Sequence, residues 1–228
     1  MVWLWENLEL VLGLALDHAR LSIIPILVSL IAAIPLGWLA TLHPVVRSFI
    51  LFVSGAAFTI PSLALFIVLP AVLGTKILDE ANVVVALSIY GVAVMARGAA
   101  DAFASVPKDV VNSSTAVGYS RAGRFWTVEL PLAGPVILAS LRVVAVSTIS
   151  LLTVGSLIGV QSLGYLFLNG YQRTFPTEVV IGIVAVMVLA VIFDQLLVLV
   201  GRLLLPWTRV QSAAERRRLA RVATEVTT

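Results

Sequence analysis

Five runs of apolar residues, each close to the ~20 that a helix needs to cross hydrocarbon, constrain this chain more than any other feature. They fall near residues 20–41, 48–73, 82–102, 133–156 and 179–202. Of its 228 residues, 60% are hydrophobic and 12% charged, whereas an ordinary soluble domain carries about 25% charged residues. Such a chain is an integral membrane protein, and the reading is an all-α polytopic fold with about five transmembrane helices. The second run is long and contains Thr59-Ile60-Pro61-Ser62. It reads as one broken helix or two shorter pieces, a break that neighbouring helices can satisfy.

Basic residues orient the spans. With the N-terminus outside, the inner side receives Arg47, Arg97, Lys108, Arg121, Arg124, Arg202, Arg209, Arg216, Arg217, Arg218 and Arg221, and the outer side only Arg20, Lys76 and Arg173. Positive-inside topology therefore explains the basic excess better than a nucleic-acid surface does. At the start, Trp3, Trp5, Leu8, Leu12 and Leu16 favour an amphipathic interfacial segment over 1–19 rather than a plain extension of the first span. That stretch lacks the basic start and the cleavage site of a signal peptide. Residues 207–228 read as a basic cytoplasmic tail suited to anionic head groups. No repeat or linker divides residues 1–228, which read as a single transmembrane domain.

The chain has no Cys, and His18 and His43 are its only histidines. Disulfides and thiolate ligands are thereby excluded, and a His-rich metal site is not expected. Nothing resembles G-x-x-x-x-G-K-[ST], so there is no phosphate cradle with which the chain itself could hydrolyse ATP. No nucleophile–base constellation marks a membrane-embedded enzyme. No catalytic residue, metal or cofactor is expected.

One polar, Arg-containing stretch, Asn112 to Pro135, is lodged between the apolar runs: NSSTAVGYSRAGRFWTVELPLAGP. Ahead of it, Ser105-Val106-Pro107-Lys108-Asp109 reads as a helix start, with Ser105 as cap, Pro107 in the first turn and Asp109 at the positive end of the dipole. Gly118 reads as the stop, because Gly takes the left-handed conformation that turns a chain out of a helix, and Ser120 opens a second helix. Val106, Val110, Ser113 or Ser114, and Val117 would share one face. The alternative is a solvated loop with helical tendencies.

Gly118 is followed ten residues later by Val128, then by Glu129, Leu130 and Pro131. This G-x9-V-x-LP pattern, between the third and fourth spans, resembles the coupling segment of type I ABC importer permeases, which are binding-protein-dependent inner membrane components with a MetI-like fold. The osmoprotectant branch is the most similar. The resemblance runs from about residue 20 to 205 and takes in Pro61-Ser62-Leu63-Ala64, Arg97 and Gly159-Val160-Gln161-Ser162-Leu163-Gly164, where the family commonly has Gly-Ala-Gly-Gly-Leu-Gly. It implies a short cytoplasmic coupling helix received by a groove on a separate ATPase, with Asn112, Ser113, Ser114, Gly118, Val128, Leu130 and Pro131 as ATPase-coupling residues. The usual opening Glu-Ala-Ala falls on Asn112, Ser113 and Ser114. A carboxylate is lost and two methyls become hydroxyls, which points to a different ATPase groove.

The resemblance further implies a multi-pass permease subunit of the inner (plasma) membrane, in an ATP-driven importer for glycine betaine, choline, carnitine or proline betaine. Its implied partners are ABC ATPase subunits, a second permease subunit (identical or not), membrane lipid and an extracytoplasmic substrate-binding protein whose aromatic cages largely set quaternary-ammonium selectivity. Nucleic acid is not among them. The alternatives are a permease for methionine or another small solute in the same fold, and a secondary transporter, which would typically show paired repeats.

Arg142 and Asp194 are the only ionisable residues deep in the expected spans. Both lie on the order of 10–14 Å from the inner end, at about 1.5 Å per residue, and opposite charges at one depth are expected to pair. The alternative is that each snorkels separately. Trp38, Tyr171 and Trp207, near span ends, read as interfacial anchors rather than a ligand cage. His18, beside Asp17, reads as a surface residue rather than a proton relay. The outer segment 159–177 reads equally as a docking and gate surface and as a connector.

Overall fold

The computed structural model describes residues 2–207, so the expected basic tail lies, beyond Trp207, outside the described residues. All regular elements among them are helical: α1 (Val2–Glu6), α2 (Leu8–Leu42), α3 (Pro44–Thr59), α4 (Ser62–Leu73), α5 (Glu80–Ala104), α6 (Lys108–Ala116), α7 (Arg121–Arg124), a π turn (Phe125–Glu129), α8 (Leu130–Leu152), a 3-10 turn (Thr153–Ile158), α9 (Gly164–Gln172) and α10 (Pro176–Leu204). Four helical runs among the described residues are long and apolar enough to cross a membrane: α2, α5, the run Arg121–Ile158 and α10. The pair α3 and α4 is apolar enough only when taken together and is bent by 98° at its break, the geometry of a broken span or of a re-entrant loop. Pro61 causes that break, because it has no N–H to donate back into α3 and its predecessor Ile60 is held extended at φ −65°, ψ 128°.

The N-terminal stretch is continuous with the first span: after the short α1, α2 runs from Leu8 to Leu42 without interruption. Its first turns carry Val11 and Leu14 into a core with Ile149, Leu163, Leu166 and Leu189. Of the residues that carried the amphipathic pattern, Trp5, Leu8, Leu12 and Leu16 remain exposed, so that apolar face is left uncovered while the opposite side packs inward. His18 is also buried rather than on the surface. Its Nε2–H donates to the Ile149 carbonyl at 2.9 Å and its Nδ1 accepts from the Leu163 amide at 3.3 Å, an arrangement that satisfies both ring nitrogens and ties α2 to the segment after α8.

α5 is the central helix and packs against α2, α3, α4 and α8. Small residues make this possible. Ala96, Ala99, Ala100 and Ala102 are fully buried, and a Cβ placed on Gly37 of α2 would lie 2.5 Å from the Ala99 Cβ, so the two backbones are in direct contact. Without a hydrophobic drive between helices in lipid, such close approach is a principal source of helix association. α10 stands at the edge, against α8 and α9. The α9–α10 hairpin is locked by Glu178, which is fully buried and accepts from Asn169 Nδ2 at 2.6 Å.

Candidate functional site

α6 and α7 form a short helical corner between α5 and α8. α6 ends in a reciprocal pair of backbone bonds: the Gly118 amide donates to the Thr115 carbonyl at 3.0 Å and the Tyr119 amide to the Ser114 carbonyl at 3.1 Å. Gly118 sits at φ +97°, the left-handed conformation this termination requires. Ser120 then caps α7 by accepting from the Gly123 amide at 3.1 Å. The start of α6 differs from expectation. Ser105 ends α5, donating to the Ala102 carbonyl at 2.7 Å, and α6 begins after Pro107 without a side-chain cap. Val106 therefore precedes α6, and the expected single face is split: Val106 and Ser114 are buried, while Val110 is 40% and Val117 80% exposed.

Asn112 and Ser113 are exposed, and Ser114 turns its hydroxyl back to the Val111 carbonyl at 2.8 Å. Val110, Ser113, Val117, Tyr119 and Val128 line an open hollow of about 410 Å³. With Trp126 also 65% exposed, this corner presents apolar side chains that no described residue covers. Leu130 packs on the core formed by α2, α5 and α8. Pro131 occupies the first turn of α8 and shapes the residues before it. Proline cannot donate to the carbonyl four residues back and its ring crowds that carbonyl. The helix widens ahead of it into a π turn, in which the Leu130 amide reaches the Phe125 carbonyl.

That widening brings together residues that an α-helix keeps apart. Arg124 and Glu129 are five positions apart, about 140° around an α-helix of 3.6 residues per turn. In the π turn the Arg124 Nε donates to Glu129 Oε1. Arg124 also donates to Thr115 Oγ1 of α6 at 2.7 Å. Trp38 of α2, 91 residues from Glu129, donates its Nε1–H to Glu129 Oε2 at 2.9 Å. Trp38 is thus tied into the protein by its polar edge, beyond the anchoring role read for it. Phe125 lies edge-on to Trp38 at 5.3 Å and stacks on Phe103 of α5 at 5.8 Å. A cavity of about 530 Å³ opens beside this cluster, lined by Trp38, His43, Arg47, Lys108 and Asn112 among others.

Arg142 of α8 and Asp194 of α10 face each other in a two-pronged pair, Nε to Oδ1 at 2.6 Å and the second guanidinium nitrogen to Oδ2 at 2.8 Å. Gln195 adds a bond to Oδ2 at 3.2 Å. Among the described residues, no group of three His, Cys, Asp or Glu could hold a metal ion. The segment 159–177 folds back on the spans through a hydroxyl pair, Ser156 with Ser162, at 2.8 Å, and its Tyr171 is 80% exposed.

Residues 33–206 match the family described as the binding-protein-dependent transport system inner membrane component. The chain belongs to this family. It is a transport permease component and not an enzyme. The choline transport system permease protein OpuBB of Bacillus subtilis (strain 168) is 32% identical over 193 residues, 83% of this chain and 86% of that protein. The glycine betaine/carnitine/choline transport system permease protein OpuCB of the same organism is 31% identical, with the same two coverages of 83% and 86%. Among solved structures, the MetNI methionine ABC transporter in an inward-facing conformation has a similar fold, with a TM-score of 0.69 at 18% identity over 87% of this chain and 96% of that one.

In this permease the residues that hold the corner in place, Arg124, Glu129 and Trp38, were missed by sequence reasoning. The signal was present in Pro131, whose effect on the preceding turn changes which side chains meet.

Proposed function

We propose that this permease is the membrane subunit of an ATP-driven importer for osmoprotectants bearing a quaternary ammonium group, such as choline, glycine betaine, carnitine or proline betaine. The similarity to a choline permease, 32% identical over 83% of this chain, carries the reading. A separate ATPase docks on residues 107–125, where Val110, Val117 and Tyr119 offer an exposed apolar surface beside the left-handed bend. Asn112, Ser113, Ser114 and Val128 belong to that contact, with Leu130 and Pro131 holding it to the spans. A binding protein delivers solute on the opposite side, at the segment 159–177.

A second permease subunit completes the path. The break at Thr59–Pro61 supports this, because Phe58 and Ile60 beside it are 53% and 43% exposed. Non-helical backbone at membrane depth is tolerated only against protein or a water-filled cavity. The N-terminus lies outside, and α6, α7 and the C-terminus lie in the cytoplasm, following the basic residues.

The test is uptake into proteoliposomes holding permease, ATPase and binding protein. ATP-dependent entry of labelled choline or glycine betaine is expected; entry of methionine alone, or entry driven by an ion gradient without ATP, would overturn the reading. Orientation is checked by single cysteines at Ser120, expected to label from inside, and at Tyr171, expected to label from outside. Ser162 is a poor reporter because it is fully buried.

A further inference from the structure

We infer that Glu129 is a positioning residue, a buried joint that makes the corner α6–α7 and the end of α2 move as one body when the ATPase acts on α6. Only the source of that push rests on the importer reading. Glu129 is 6% exposed, and its two oxygens are divided between two elements: Oε1 accepts from Arg124, and Oε2 accepts from Trp38. Arg124 extends the connection to Thr115 in α6. The chain Thr115, Arg124, Glu129, Trp38 therefore runs from the exposed corner to the first long span without an intervening gap.

The other routes from α6 lead to α5, through Ser105–Pro107 and Val111, and to α8; α6 itself has little direct packing on α2. α6 buries only Ser114 among its nine residues and packs mainly on α7 and the π turn. A push on α6 reaches the spans through α5, to which it is joined by Ser105–Pro107, along α8, which follows the π turn directly, and across to α2 through Glu129. If the contact served stability alone, an apolar pair would do as well, since a buried ion pair is often no more stabilising than well-packed hydrophobic residues. What the carboxylate adds is direction. Two charge-assisted bonds from opposite sides fix the angle between α2 and the π turn, while Phe125, set between Trp38 and Phe103, resists rotation about them.

The experiment uses the complete complex in proteoliposomes, with spin labels at Leu42→Cys and, in the π turn that carries the corner and outside the ATPase contact, at exposed Thr127→Cys; they are specific within this chain because it has no other cysteine. The label distance is measured without nucleotide and with ATP trapped, alongside solute taken up per ATP hydrolysed. With Glu129 and Trp38 intact, one distance is expected in both states. Glu129→Gln and Trp38→Phe should each introduce a second distance on ATP trapping and lower uptake per ATP about tenfold, the change that loss of one charge-assisted bond allows. The inference is overturned if the distance already changes with both residues intact, or if both variants keep a single distance and an unchanged ratio. Should Glu129→Gln fail to fold, Trp38→Phe decides alone, because it removes one N–H and keeps a ring against Phe125. The distance needs no transported solute: a complex that holds it fixed, loses it in the variants and takes up neither choline nor glycine betaine supports the joint and rejects the osmoprotectant reading.

Discussion

The run Arg121–Ile158 supplies the arginines of two arginine–carboxylate pairs built for different ends. Arg124 and Glu129 are five residues apart in a polar corner, with side chains 17% and 8% exposed, and Thr115 and Trp38 share their remaining bonding capacity. Arg142 and Asp194 are 52 residues apart, join α8 to α10 and are 40% and 21% exposed. The inner pair is surrounded by other donors and acceptors, so losing one member redistributes bonds. The outer pair lies among apolar spans, where among the described residues only Arg142 and Gln195 donate to Asp194. Similar geometry should therefore set orientation in the first case and assembly in the second.

The largest effect tests the outer pair. Arg142→Leu or Asp194→Leu leaves one ion in apolar surroundings without its two-pronged partner, and breaking such a pair costs more than replacing it whole. Folded yield in detergent should fall steeply in each single variant and recover in the double variant, while uptake stays low if the pair also serves the transport cycle. Additive losses would break the comparison, because they would make these two charges independent and snorkelled.

Much of this arrangement was legible in the sequence, for reasons that particular residues make plain. Arg142 and Asp194 stand out because each is a lone charge in a long apolar run, where polarity is expensive, so their meeting could be anticipated without knowing the packing of α8 on α10. Gly118 was legible because a helix stop needs a left-handed residue, and it takes φ +97°. Arg124 and Glu129 were not, because at helical spacing they point apart; their contact depends on the turn widened ahead of Pro131. The first turns of α2 were legible only in part: the apolar face read there, Trp5, Leu8, Leu12 and Leu16, stays exposed, while Val11 and Leu14, outside that pattern, pack against α8 and α9.

Gly118 offers an effect of intermediate size and separates backbone from charge. A Cβ there meets nothing within 4 Å, so Gly118→Val introduces strain at φ +97° and no clash. Left-handed backbone costs an ordinary residue about 1–2 kcal/mol, and more for a β-branched one. ATPase co-elution with the purified permease should weaken by about five- to thirtyfold, with Gly118→Asn milder because Asn tolerates this conformation. Wild-type co-elution and uptake in Gly118→Val would remove the bend from the docking surface and leave the Glu129 network as the sole determinant of the corner's shape.

The smallest expected effect sharpens the comparison within the inner pair itself. Thr115 accepts from Arg124 at 2.7 Å and donates to the Val111 carbonyl at 2.9 Å, both at an exposed position where water can replace either bond. Thr115→Val keeps the side-chain shape and removes the acceptor, a loss of about 1 kcal/mol or less, so uptake per ATP should fall by no more than about fivefold and folded yield should not change. Arg124 retains its bond to Glu129 in this variant, and the connection to Trp38 stays whole. A loss matching that of Glu129→Gln would place the rigid link at the α6 end of the network. The distinction between an orienting pair and an assembling pair would then have to be drawn at Thr115 rather than at Glu129.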